Sequence, residues 1–378
     1  MHDAVIVDAV RTPIGKRGGS LSELHPADLS AHVLAALTGR VGIDPAEIED
    51  VIWGCVVQAG EQAGNIARTA ALAAGWPESV PGTTVNRACG SSQQALSFAA
   101  ASVIAGHAEF VVAGGVESMS RVPMGSAAME GRSATPPSVQ TRYGVEGFSQ
   151  GLGAEMMAER WNLDRRTLDE YALRSHELTA QAIDTGAFDS QLAPVEGRLA
   201  VDEGLRRGGS IDKLATLKAP FKEDGVIHAG NASQISDGAA ALLVTTGRIA
   251  ADRGLSPIAR IHTVAVTGDD PVMMLSGPIS ATAKALSRSG LSIEDIGAFE
   301  VNEAFAPVPL AWLAETGADV KRLNPLGGAI AVGHPLGGSG AILMTRLVHH
   351  MRANGIRYGL QTMCEAGGMA NATIVELL

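Results

Sequence analysis

A chain of 378 residues with 46% hydrophobic content can bury a large core and exceeds one simple domain, so two units of similar size are the natural expectation. The formal net charge of −11 argues against general nucleic-acid binding, which relies on Lys and Arg against phosphates, and any anionic ligand must meet a local basic patch. Cys55, Cys89 and Cys364 have neither metal-ligand spacing nor the pattern of a secreted disulfide framework, and they fit a reducing cytosol.

The N-terminal run is too short and too acidic for a secretory signal, no apolar stretch is long enough to cross a bilayer, and the C-terminal Glu376-Leu-Leu378 is no peroxisomal tripeptide. A soluble, cytoplasmic chain is expected. Short β-rich runs at 5–7, 51–53 and 83–85 alternate with helical stretches at 27–37 and 66–74, the rhythm of an α/β layered fold. The third run leads into Thr84-Val-Asn-Arg-Ala-Cys89-Gly-Ser-Ser and a helix over 91–105. Ala95, Leu96, Phe98, Ala99, Val103 and Ile104 make that helix apolar nearly all round, so it is expected to lie buried between layers, with a strand at 110–114 after it. A thiol at the start of a helix meets unsatisfied N–H groups and positive potential, which favour thiolate over thiol and can hold an oxyanion.

From 116 to 247 the rhythm breaks into a polar stretch with Pro136-Pro137, several glycines and many charges, and helices near 154–161 and 168–185. It reads as an inserted loop or cap domain. Alternation resumes with strands at 259–266, 298–301, 361–364 and 372–377, and helices at 281–289, 304–315 and 340–353. The division is therefore 1–115 with 248–258 as an N-terminal half, 116–247 as the insert, and 259–378 as a C-terminal half of similar element order.

Five ordered blocks resemble the thiolase family across essentially the whole chain: Asn86-Arg-Ala-Cys89-Gly-Ser-Ser, Gly114-Gly-Val-Glu-Ser-Met-Ser120, Gly230-Asn-Ala-Ser233, Asn302-Glu-Ala-Phe305 and the glycine-rich run 327–340 around His334. The resemblance implies an α/β fold of five layers, αβαβα, built from two duplicated halves plus a loop domain and working as a homodimer or homotetramer. It also implies an acyltransferase that uses coenzyme A thioesters as substrates, with no permanently bound cofactor and no metal. On this reading Cys89 is the nucleophile that carries the acyl group. His334, held between Gly333 and Pro335, accepts its proton and forms one wall of an oxyanion site. Cys364 exchanges a proton with the acetyl-CoA carbon, and Asn302 holds a water beside His334, with Glu303 in support. The family's usual Cys-x-Gly-Gly-Gly is here Cys364-Glu-Ala-Gly-Gly368, so Ala366 keeps a backbone N–H for an oxyanion but adds a methyl group.

Coenzyme A phosphates need cations, and Arg206, Arg207, Lys213, Lys218 and Lys222 precede Asn231 and Ser233. Arg206 and Arg207 are the candidates for phosphate, and Ser233 resembles the family serine beside the pantetheine. Cys55 is expected in the core, and His349 and His350 on a solvated helix face. Acetoacetyl-CoA thiolases carry a His-Met-Gly run where this chain has Ser149-Gln-Gly-Leu-Gly-Ala-Glu155, which together with Glu365 favours a degradative enzyme for bulkier or steroid-derived chains. The alternatives are an acetoacetyl-CoA-forming acetyltransferase and a non-catalytic CoA-binding scaffold. A decarboxylating synthase with two histidines fits less well, because Cys364 and the Asn302 block are present.

Overall fold

A computed structural model describes residues 3–130 and 132–378. In chain order the strands are β1 (Ala4–Arg11), β2 (Gly15–Lys16), β3 (Asp50–Gly54), β4 (Thr83–Val85), β5 (Val111–Ser118), β6 (Ser236–Thr246), β7 (Ala259–Gly268), β8 (Ala298–Val301), β9 (Tyr358–Glu365) and β10 (Met369–Leu377). The helices are α1 (Pro26–Val41), α2 (Ile66–Ala73), α3 (Ser91–Ala105), α4 (Pro137–Tyr143), α5 (Gln150–Arg160), α6 (Arg165–Asp184), α7 (Ile211–Ala215), α8 (Gly247–Asp252), α9 (Gly277–Ser289), α10 (Pro307–Thr316), α11 (Ala329–Val332) and α12 (Ser339–Asn354).

The strand path β4-β3-β5-β6-β1-β7-β10-β9-β8 is two similar sheets joined edge to edge. Outward from the junction, one half runs β1-β6-β5-β3 and the other β7-β10-β9-β8. In both, the second strand is antiparallel to its neighbours, and the last two strands are parallel. The halves share a narrow seam, where Val5 pairs with Arg260 and Ile6 with Ala259. Parallel strands need a crossover helix. That role falls to α3 before β5 and to α12 before β9, and both helices lie between the sheets with Leu96, Ala99, Val103, Leu347, Val348 and Met351 in a shared core. Their close approach requires Gly340, because a side chain there would strike the backbone of Gln93. Outer cores under α1 and α2, and under α9 and α10, complete an αβαβα arrangement.

Three sequence expectations change. Residues 236–246, inside the stretch assigned to the insert, form β6 and pair with both β1 and β5, so they belong to the main sheet. The run Ala239-Ala-Ala-Leu-Leu-Val244 is buried on both faces and so lacks the alternation that marks a half-exposed strand. Helix α3 is not covered all round, since Phe98 and Ile104 are 46% and 42% exposed. His349 is buried rather than solvated, with its ring against Ala9 O at 2.9 Å and Ser190 Oγ at 3.0 Å.

Candidate active site

The turn from β4 into α3 is a sharp elbow. Asn86 Oδ1 accepts from Ala88 N at 2.9 Å, and Ser91 Oγ accepts from Arg87 N while donating to Ala88 O. Ala88 is thereby held at φ 46°, a left-handed conformation that costs a non-glycine residue about 1–3 kcal/mol. The elbow turns Cys89 inward, one residue before the helix cap Gly90, among Met119, Leu336, Leu343 and Met363. Burial, and then the carboxyl of Glu365, push the Cys89 thiol up to about 12. The expectation that the helix start favours thiolate is outweighed by desolvation, so the resting group is a thiol.

His334 follows Gly333, whose φ of 111° and missing side chain let the loop pass Ser236. Its backbone N–H donates to Gln234 O at 3.1 Å and Ser236 Oγ at 3.2 Å. Ser339 Oγ, in the first turn of α12, donates to Pro335 O at 2.9 Å and stands 2.6 Å from His334 Nδ1. With its proton committed to Pro335, the hydroxyl accepts from Nδ1–H, and Nε2 therefore carries the free lone pair. Asn302 Nδ2 lies 3.4 Å from that Nε2, and burial pushes the imidazole down to about 4, so the ring is neutral at rest. Asn302 is not a helix cap: α10 begins later, with Ala306 as its N-cap, and the Asn302 Oδ1 is buried without a partner among the described residues. Its neighbour Glu303 is a structural clasp, accepting from Tyr171 OH, Ser175 Oγ, Asn324 Nδ2 and Ile330 N.

Glu117, at the end of β5, holds the histidine loop from below. Its carboxylate accepts from Gly337 N at 2.8 Å, Val56 N at 2.9 Å, Val57 N at 3.1 Å and Gln62 Nε2 at 2.6 Å. Cys364 occupies the matching strand end of the other half, β9, and its thiol is pushed up by burial and then by the nearby Cys89. Ala366 is half-buried in the β9–β10 turn; Gly367 and Gly368 take the left-handed positions at φ 88° and 72°, so the methyl of Ala366 meets no backbone conflict. The structure thus sets Asn302 beside His334 and Cys364 near Cys89, all four buried and drawn from two equivalent halves. Reading the sequence missed Ser339, Glu117 and Gln62. A serine five residues past the histidine, and a glutamate ending an apolar strand, were the available signals.

Residues 4–248 match the family described as thiolase, N-terminal domain, and residues 255–377 match thiolase, C-terminal domain. The chain belongs to the thiolase family. It is 51% identical to a steroid 3-ketoacyl-CoA thiolase, FadA6, of Mycobacterium tuberculosis over 100% of this chain and 95% of the relative. It is 43% identical to a 3-ketoacyl-CoA thiolase of Pectobacterium carotovorum over 100% of both chains. A crystal structure of the Bacillus anthracis acetyl-CoA acetyltransferase superposes with a TM-score of 0.91 at 38% identity, covering 100% of this chain and 99% of that one. This thiolase is an acyltransferase, and its reaction is CoA-dependent cleavage of 3-oxoacyl-CoA.

In this thiolase a cleft of about 550 Å³ is lined by Lys16, Arg17, Arg206, Ser233 and Gln234, together with Glu203, which pairs with Lys16 at 3.7 Å. Gln234 O receives the His334 N–H, so the cleft is tied to the histidine loop. Arg207 turns away and is held by Asp184 through two bonds of 2.6 and 2.9 Å. Lys222 pairs with Glu159, and Lys213 Nζ donates to Gly208 O. Lys16 and Arg17 were not picked out from the sequence, although two adjacent cations flanked by Gly15 and Gly18 were visible there. Among the described residues no group of three or more His, Cys, Asp or Glu is placed to hold a metal ion, and no helix is long and apolar enough to cross a membrane.

Proposed function

We propose that cleavage runs through an acyl-enzyme on Cys89. The Sγ–H proton passes to His334 Nε2 as the sulfur attacks the C3 ketone, the C2–C3 bond breaks, and the C2 carbanion takes the Cys364 proton to leave as acetyl-CoA. Free CoA then gives its thiol proton to the Cys364 thiolate and attacks the acyl group. The Cys89 thiolate departs and recovers its proton from His334. The observation that carries this reading is the unprotonated His334 Nε2, fixed by Ser339 and met by Asn302 Nδ2, together with two buried thiols within electrostatic reach of each other. His334 N–H, once formed, and a water on Asn302 serve the thioester oxygen of the departing acetyl-CoA, and the backbone N–H of Ala366 serves the other oxyanion.

Coenzyme A is assigned to this cleft, with Arg206 and Arg17 for phosphates and Ser233 beside the pantetheine; ion pairs with Glu203 and Asp184 make Lys16 and Arg207 weaker candidates. A bulky acyl chain is supported by the steroid-type relative. The loop region carries no small-pocket methionine at 149–151; Gly151 instead lies against the ring of Phe221, which packs edge-on to Phe305. The likeness to an acetyl-CoA acetyltransferase favours the second reading, acetoacetyl-CoA synthesis. A cytoplasmic homodimer or homotetramer, with residues 119–235 as its loop domain once the sheet residues of β5 and β6 are set aside, accompanies the proposal.

The test is CoA-dependent cleavage of acetoacetyl-CoA against long and branched 3-oxoacyl-CoAs, with trapping of the acyl-enzyme. Cys89→Ala is expected to abolish both signals, and Cys364→Ala to be acylated slowly by acyl-CoA but lose carbon–carbon cleavage. Preference for acetoacetyl-CoA would overturn the bulky-chain reading. Persistent cleavage by Cys89→Ala would overturn the mechanism, and equal, unprotected alkylation of Cys89 and Cys55 would move the assignment to a scaffold.

A further inference from the structure

Glu365 is fully buried, and neither of its carboxyl oxygens has a hydrogen-bond partner among the described residues. Buried carboxyls are ordinarily well satisfied, as Glu117 and Glu303 are in this same molecule. The side chain leans on Gly90, where any Cβ would collide with Oε1. Gly90 is the residue next to Cys89 and the cap of α3. Its carbonyl accepts from Asn371 Nδ2 at 3.2 Å, while Asn371 Oδ1 is also unpartnered, as is Arg87 Nε. Across the hairpin, Glu365 faces Met369, whose sulfur lies 3.9 Å from Arg87 Nη1. The titratable groups facing Glu365 are Arg87 and Cys89 from the nucleophile loop and Cys364 beside it on β9; β10 contributes only Met369 and Asn371.

We propose that Glu365 is a positioning residue that acts on Cys89 through Gly90: its carboxyl, packed on the Gly90 Cα without a hydrogen-bond partner, sets the electrostatic field in which the thiol gives up its proton. This rests on Cys89 being the nucleophile. Burial pushes the carboxyl up to about 8 despite Arg87, so near neutrality it bears its proton and adds no charge beside the thiol. Above that range it ionises, and a second negative charge opposes thiolate formation.

The experiment follows iodoacetamide alkylation of Cys89 by peptide mass spectrometry from pH 6 to 9.5, in the wild type and in Glu365→Gln. At pH 6.5 the two rates are expected to agree within about twofold. At pH 9 the variant is expected to react roughly tenfold faster, equivalent to one pKa unit. Superimposed curves at pH 9 would overturn the proposal. If Glu365→Gln does not fold, the wild-type curve decides: flattening around pH 8 supports the proposal, and an unbroken tenfold rise per pH unit overturns it. Cys89→Ala with undiminished cleavage sinks the nucleophile assignment instead, a result that the alkylation curves cannot mimic.

Discussion

Ser339→Ala deletes the oxygen that accepts from Nδ1 of His334 and lets the ring proton move to Nε2, the atom needed as base. The expected result is a fall in kcat of about 10–100-fold with KM little changed, measured by steady-state thiolysis. An unchanged kcat would show that the tautomer is fixed elsewhere. The candidates at this scale were legible in the sequence: Cys89, His334, Asn302 and Cys364 all sit in quoted blocks, all are buried, and they lie in two pairs, Asn302 by His334 and Cys364 by Cys89. Their environment was not. Whether a thiol near a helix start is acidified depends on how deeply it is buried, and the unpartnered carboxyl of Glu365 is a property of three-dimensional packing.

At the level of elements, Glu117 binds three segments remote in sequence: the end of β5, the Val56–Val57 loop and Gly337 of the histidine loop. Glu117→Ala leaves several buried N–H donors unsatisfied at about 1–3 kcal/mol each, so a loss of roughly 3–5 kcal/mol is expected in chemical denaturation, together with reduced kcat. A variant with native stability would mean that water replaces the carboxylate. Periodicity located β3, β4, β8 and α3 well, because each is bounded by turn residues and follows a simple pattern. It overlooked β6, since a strand covered by α1 on one side and by α3 and α12 on the other needs no polar face.

Across the whole molecule, the loop region is fastened to the N-terminal half by a buried ion pair. Arg11 at the end of β1 donates to Asp202 at 2.7 and 2.9 Å and to Gln191 Oε1 at 2.7 Å, with its guanidinium 5.1 Å from the ring centre of Phe188. Arg11→Met leaves the Asp202 carboxylate uncompensated and is expected to cost about 3–5 kcal/mol in denaturant midpoint measurements. Arg11→Met with Asp202→Leu is expected to recover part of that loss, and a double variant no better than the single would show that the packing around Phe188, not the charge, was at stake. The duplicated architecture was visible only as a similar order of elements in the two halves; the matching strand polarities, with α3 and α12 back to back, required coordinates.

The seam and the strand path also govern how the protein is made. β1 is synthesised first, yet its partner β6 ends only at Thr246, and α3 gains its packing neighbours α12 and β10 only when the far end of the chain arrives. At about 5–20 residues per second, the ribosome needs on the order of ten seconds or more to deliver those partners. Throughout that interval the cysteine sealed in the finished enzyme is a bare thiol on a growing chain. Refolding yield is therefore expected to fall when reductant is withheld, while the folded protein tolerates the same treatment.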